Sequence, residues 1–167
     1  MNKGRYKSQA LLDEAALISC MAYVDLNPVR AGIAETPETS DFTSIQERLV
    51  VAAEQQRLDP CLSRFQRGKQ HKQEELPIRR NDYFELVDWT GRAIREDKRG
   101  HIPEHLANIL MRLRIEPENW MDAVQQLETQ FSRALGSPVA MALYSEQVSQ
   151  CWIRGLNQSR RCFATSK

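Results

Sequence analysis

The stretch MAYVDLNPVRAGIAETPETSDFTS, Met21 to Ser44, decides how the first part of this 167-residue chain folds. Proline disfavours the α conformation in the residue before it, so Pro28 predicts that a helix entering this stretch ends near Asn27. Reading backwards, Leu17, Ile18, Met21 and Val24 recur at helical spacing, and Asp13 stands where an N-cap acid belongs. Reading forwards, Pro28 can open a short further turn to Ala31 that Gly32 ends. Residues 35–43, ETPETSDFT, are turn-rich, and SIQE, Ser44 to Glu47, has the capping-box pattern ahead of a helix reaching about Gln56.

Leu17, Ile18, Met21 and Val24 form the expected core stripe of the first helix. Tyr23 and Asn27 fall on a different face, with the small residues Ala16 and Cys20, and i, i+4 spacing stacks them one turn apart. Asp25 lies beside the stripe with no role that spacing assigns. Two readings of Tyr23 and Asn27 stay open. In the structural one, Tyr23 is a half-buried ring and Asn27 closes the helix before Pro28. In the chemical one, Tyr23 attacks a phosphodiester while the Asn27 amide helps to hold a divalent cation. That chemistry needs more than these two residues, because a phenol has an ordinary pKa of about 10 and Mg²⁺ requires several further oxygens.

Composition points to a soluble, helix-rich protein: 41% hydrophobic, 27% charged, seven Gly and seven Pro. No apolar run is long enough to span a bilayer and the first twenty residues lack the apolar segment of a signal peptide, so a cytoplasmic protein is expected. Cys20, Cys61, Cys151 and Cys162 are scattered, without a CxxC pair, which argues against a zinc knuckle or a disulfide framework. The net charge of +1 conceals an alternation, with residues 1–56 and 81–149 net acidic and residues 57–80 and 150–167 net basic.

The expected fold class is mainly α. Residues 57–80 show no sustained period and read as a basic linker between residues 1–56 and a helical extension, 81–167. Four helical segments are expected in the extension. The first carries Phe84, Val87, Gly91 and Ile94 on one side. The second opens at Pro103 with Leu106, Ile109, Leu110 and Leu113 in phase. The third runs from Pro117 through Trp120, Val124, Leu127 and Phe131 to Gly136, and the last starts near Pro138 and shows Val148, Cys151, Trp152 and Leu156. A stray edge strand is expected around Arg5 to Ser8.

RYKSQALLDEAALISCMAYVDLNPVRAGIAETPETSDFTSIQERL, Arg5 to Leu49, resembles the C-terminal part of the REP-associated tyrosine transposases, a branch of the single-tyrosine HUH transposases. The tyrosine followed by VDLNPVRAG is the specific part, and LVDWTGRAIREDKRG, Leu86 to Gly100, resembles the helical extension of longer members. The resemblance implies that Tyr23 is the nucleophile on single-stranded DNA beside a hairpin, leaving a 5′-phosphotyrosine and a free 3′-OH. It implies that Asn27 is the third ligand of the Mg²⁺ or Mn²⁺ used by the intact family. The family's other two ligands are a His-hydrophobic-His pair, which this sequence lacks. Its histidines are His71, His101 and His105, and Pro103 separates the last two.

The expectation is therefore a C-terminal transposase fragment with the ferredoxin-like sheet and its metal ligands missing, binding no metal and cutting no DNA by itself, with a separately encoded N-terminal half as a partner. Arg64, Arg67, Lys69 and Lys72 in the basic segment, and Arg154, Arg160 and Arg161 near the end, are the expected phosphate contacts, with Trp152 available for stacking. The alternatives are a non-catalytic DNA-binding helical module and a non-functional remnant.

Overall fold

A computed structural model describes residues 8–40, 44–48, 64–65, 75–95 and 101–163. Arg67, Lys69, Lys72 and the expected helix beyond residue 48 lie outside the described residues, as does most of the strand expected at Arg5 to Ser8.

The fold is mainly helical. Strand β1 (Ala10–Leu11) leads into α1 (Glu14–Asp25), α2 (Asn27–Arg30), a 3-10 turn (Pro37–Thr39) and α3, described over residues 44–48. Strands β2 (Arg64–Phe65) and β3 (Glu75–Leu76) precede α4 (Arg80–Arg95) and α5 (Glu104–Arg112). A second 3-10 turn (Pro117–Asn119) runs into α6 (Trp120–Gln125), followed by α7 (Leu127–Gln130), β4 (Ala134–Leu135), α8 (Pro138–Gln147) and α9 (Leu156–Cys162).

The boundaries of α1 follow local chemistry. Asp13 caps the helix, its Oδ1 accepting from the Ala16 N–H at 2.9 Å, while its Oδ2 accepts from the Ser137 N–H at 2.6 Å and ties the cap to the start of α8. At the other end Leu26 (φ −92°, ψ 0°) interrupts the helix one residue before Asn27, α2 carries Pro28 in its first turn, and Gly32 leaves it at φ 68°.

The buried face of α1 is not the expected one. Ala15, Ala16, Ile18, Ser19, Ala22 and Asp25 are buried, Leu17 and Met21 are half-buried, and Val24 is 52% exposed. Alanine and serine let α1 approach α6 and its large Trp120 closely, so the small side of the helix enters the core and the bulky side flanks it. Burying Ile18 and Leu26 contributes roughly 1.5–3 kcal/mol each.

One core cluster draws on both sides of residues 57–80: Ile18, Ala22 and Leu26 with Leu86, Leu110, Trp120 and Leu135. The expected linker is thus no packing boundary, and its end enters that core through Leu76 and Ile78. Within it β2 and β3 pair in parallel, Arg64 opposite Glu75.

Strand β1 at Ala10–Leu11 is partnered, pairing in parallel with β4 at Ala10 to Ala134 and Leu11 to Leu135. Two expectations on the extension are corrected. The third helix breaks at Gln126 and ends at Gln130, so Gly136 follows a strand instead of closing a helix. A Cβ there would lie 2.8 Å from the Leu12 Cβ, which is why glycine suits the crossing. Finally, α8 ends at Gln147 and the chain turns through Ser149 (φ 53°) and Gly155 (φ 103°), leaving Val148, Cys151 and Trp152 exposed and burying Ile153.

Within the VDWTG stretch of α4, Thr90 donates to the Leu86 carbonyl at 2.6 Å and accepts from the Trp120 indole N–H at 2.9 Å. Gly91 sits against Leu26, whose Cδ2 would be 3.2 Å from an added Cβ. This segment therefore locks α4 onto the α1–α6 layer.

Candidate nucleophile site

Tyr23 sits three residues before the break in α1, half-buried on the flank of the helix. Its hydroxyl donates to Glu128 Oε2 at 2.8 Å, and Glu128, on α7, is exposed. The Arg30 guanidinium lies over the ring, 4.2 Å from its centroid. Residues 23 and 30 are about two helical turns apart, and the contact brings them together across the Leu26 interruption. Arg30 Nη1 is buried without a hydrogen-bond partner among the described residues. A guanidinium over an aromatic face is attracted by the ring's quadrupole, contributing about 0.5–1 kcal/mol at such a site.

Asn27 does not share one helix with Tyr23, although the spacing predicted that it would. It is the first residue of α2, exposed, beyond the Leu26 break. The break falls at Leu26, one residue earlier than the end near Asn27 that Pro28 predicted, and Asn27 itself is helical.

Among the described residues no group of three or more His, Cys, Asp or Glu could hold a metal ion. The Glu128 carboxylate beside Tyr23 is already engaged by the phenol, whereas Mg²⁺ demands near-octahedral oxygen coordination. His101 is exposed ahead of Pro103, which caps α5, and His105 Nε2 pairs with Glu85 Oε1 at 2.6 Å.

The basic residues divide. Arg64 is in β2. Arg154 donates to the Thr129 carbonyl at 2.7 Å, capping the end of α7 beside Glu128, so it works within the fold. Arg161 lies 3.9 Å from Asp122, and Arg160 is exposed, as is Trp152 at 75%.

Asp25, which spacing left without a role, is a buried hub. It accepts from the Tyr83 hydroxyl at 2.5 Å, the Ser44 hydroxyl at 2.6 Å and the Ile45 N–H at 3.3 Å, joining α1 to α3 and α4. The Ser44 hydroxyl, at the start of the SIQE pattern, thus ties the beginning of α3 to α1. Burial, reinforced by the neighbouring Asp25 carboxylate, pushes the Tyr83 phenol well above its ordinary value. Burial likewise lowers the Arg48 guanidinium, opposed by Tyr83 and Asp25.

Sequence reasoning missed Glu128 and Arg30. Arg30 carried a signal, its spacing of seven from Tyr23, whereas Glu128 lies 105 residues away with no local pattern pointing to it. Compared with protein-family models, curated proteins and solved structures, the chain matches none. No helix among the described residues is long and apolar enough to cross a membrane.

Proposed function

We propose that this chain carries the nucleophile-bearing part of a DNA transposase resembling the REP-associated tyrosine transposases, with Tyr23 attacking a phosphodiester of single-stranded DNA beside a hairpin. One observation carries the reading. In YVDLNPVRAG the fold takes up Asp25 as a buried hub, Leu26 and Val29 as core and Gly32 as the positive-φ exit, and it leaves the Tyr23 hydroxyl and Asn27 at the surface. A tyrosine serving only as a core anchor would be placed like Tyr83.

Attack by the phenol oxygen yields a 5′-phosphotyrosine and a 3′-hydroxyl on the released strand. The two histidines that hold the family's metal have to come from residues outside this sequence, because none of His71, His101 and His105 forms the required pair. By itself the chain is expected to leave DNA uncut. The proposed setting is cytoplasmic, where scattered thiols stay reduced.

The test is covalent linkage. A labelled hairpin oligonucleotide is incubated with Mn²⁺, this chain and a histidine-bearing N-terminal half from a transposase of that family. A denaturation-resistant protein–DNA adduct that is absent with Tyr23→Phe is the expected result. No adduct, or one that survives Tyr23→Phe, removes the assignment. The second reading, a non-cutting DNA-binding module, draws on exposed Trp152 and Arg160. It expects single-strand affinity with a log–log salt slope of roughly −3 if about four phosphates are neutralised.

A further inference from the structure

The phenol of Tyr23 needs something to take its proton. A general base must lie within hydrogen-bond reach of that proton, about 2.6–3.2 Å between heavy atoms. Glu128 Oε2, at 2.8 Å and already accepting the O–H, satisfies that condition. The charge left on the phenol oxygen then needs a cation close by, and the Arg30 guanidinium lies 4.2 Å from the ring centroid. The carboxylate is also well positioned. Leu127 anchors α7 in the core on one side of Glu128, and Arg154 holds the Thr129 carbonyl on the other.

A purely structural role explains this arrangement less well. Exposed polar pairs contribute at most about 1 kcal/mol, and α7 is already held by Leu127 and Arg154 without help from Glu128. The chain also contains a phenol–carboxylate pair built for structure, Tyr83 with Asp25, and that pair is fully buried where no electrophile reaches it.

We infer that Glu128 accepts the Tyr23 proton as the phenol attacks, and that Arg30 stabilises the negative charge developing on the phenol oxygen. The inference rests on the nucleophile reading above and adds a residue from the helical extension to that site. As the bond from the phenol oxygen to phosphorus forms, the O–H proton passes to Glu128 Oε2 and the bond from phosphorus to the 3′-oxygen breaks. The 3′-oxygen takes a proton from water, and Glu128 returns its proton to the resulting hydroxide. One proton has moved from tyrosine to the 3′-hydroxyl.

The chain as it stands can be tested without DNA or metal, using N-acetylimidazole as a phenol-directed electrophile and mass spectrometry to follow acetylation of Tyr23 against half-buried Tyr144. Tyr23 should react faster than Tyr144. Glu128→Gln should slow Tyr23 about 10²-fold near neutral pH, the lower end of what a positioned base supplies. It should also change the pH profile. The wild-type rate should rise less steeply with pH than that of the variant, which has no carboxylate at that oxygen to take the proton. Arg30→Gln should slow Tyr23 about tenfold, and Tyr144 should keep its rate in both variants, which reports an intact fold.

Glu128→Gln reacting at the wild-type rate with the wild-type profile overturns the inference, as does a wild-type Tyr23 no faster than Tyr144. An unchanged rate in Arg30→Gln removes the role of Arg30. The two readings fail separately. A Glu128-dependent Tyr23 that never links to DNA in the reconstituted mixture defeats the transposase reading alone. A DNA adduct formed equally well by Glu128→Gln defeats the proton-acceptor assignment alone.

Discussion

Helix α1 presents a phenol–carboxylate hydrogen bond on each of two faces. On the inner face Asp25 accepts from Tyr83, with Ser44 and the Ile45 N–H completing its shell, and both Asp25 and Tyr83 are fully buried. On the outer flank Tyr23 donates to an exposed Glu128 under the cover of Arg30. The functional groups are the same and the surroundings opposite. Burying a carboxylate is tolerable only when its oxygens are satisfied, so the inner pair is a structural commitment shared by three helices. The outer pair remains within reach of solvent and solutes, which is what a nucleophile and its base require.

The contrast is broken or sharpened first at Asp25. Asp25→Ala strands three donors in the core, and an unsatisfied buried group costs about 1–3 kcal/mol, so a loss of about 3 kcal/mol or more is expected in urea unfolding. A loss below about 1 kcal/mol would mean that the hub is dispensable and the two faces are alike. Tyr83→Phe removes one of those bonds while keeping the ring, and should cost about 2 kcal/mol.

Alkaline titration gives a smaller and more specific effect. The Tyr83 phenol is raised in the folded state, first by burial and then by Asp25, so its contribution is fully present below the unfolded phenol value of about 10. It is lost as pH climbs from there towards the folded value. The wild-type chain should therefore lose up to about 1.4 kcal/mol of stability per pH unit above pH 10 through this group, and Tyr83→Phe should not. Parallel stability curves for the two proteins between about pH 9 and pH 11 would contradict the assignment.

The smallest effect is expected on the outer face. Tyr23→Phe and Glu128→Gln should each change stability by less than about 1 kcal/mol, as exposed polar pairs do. If Tyr23→Phe destabilises as much as Tyr83→Phe, the outer pair is structural too, and its reading as a reactive site loses its main support.

Much of the local structure was legible in the sequence. Asp13 as N-cap and the exit at Gly32 each follow from one residue's preference at one position, while the interruption ahead of Pro28 falls at Leu26, one residue earlier than the expected end near Asn27. Pro117 and Pro138 each mark where a helical turn opens. Where a reading depended on which apolar residues would count as core, it faltered. Leu17, Met21 and Val24 looked like the core stripe because they are large, yet α1 enters the core through Ala15, Ala16, Ala22 and Ser19, whose small size permits close approach to α6. The final helical segment failed for a related reason, since apolar spacing through Val148 and Trp152 cannot reveal the reversal at Ser149 and Gly155.

The candidate site divides along the same line. Tyr23 and Asn27 were legible, one as a polar-tipped ring off the expected stripe and the other beside a proline. By itself the sequence determined a mainly helical chain, the ends of its first helix and the tyrosine that this helix displays, all consequences of backbone preferences acting within a few residues. Only the tertiary structure decided that Asp25 faces inward and that Glu128 meets Tyr23 from 105 positions away. Those outcomes depend on how closely helices pack and which side chains they bring together, and neither is encoded in the spacing along any one helix.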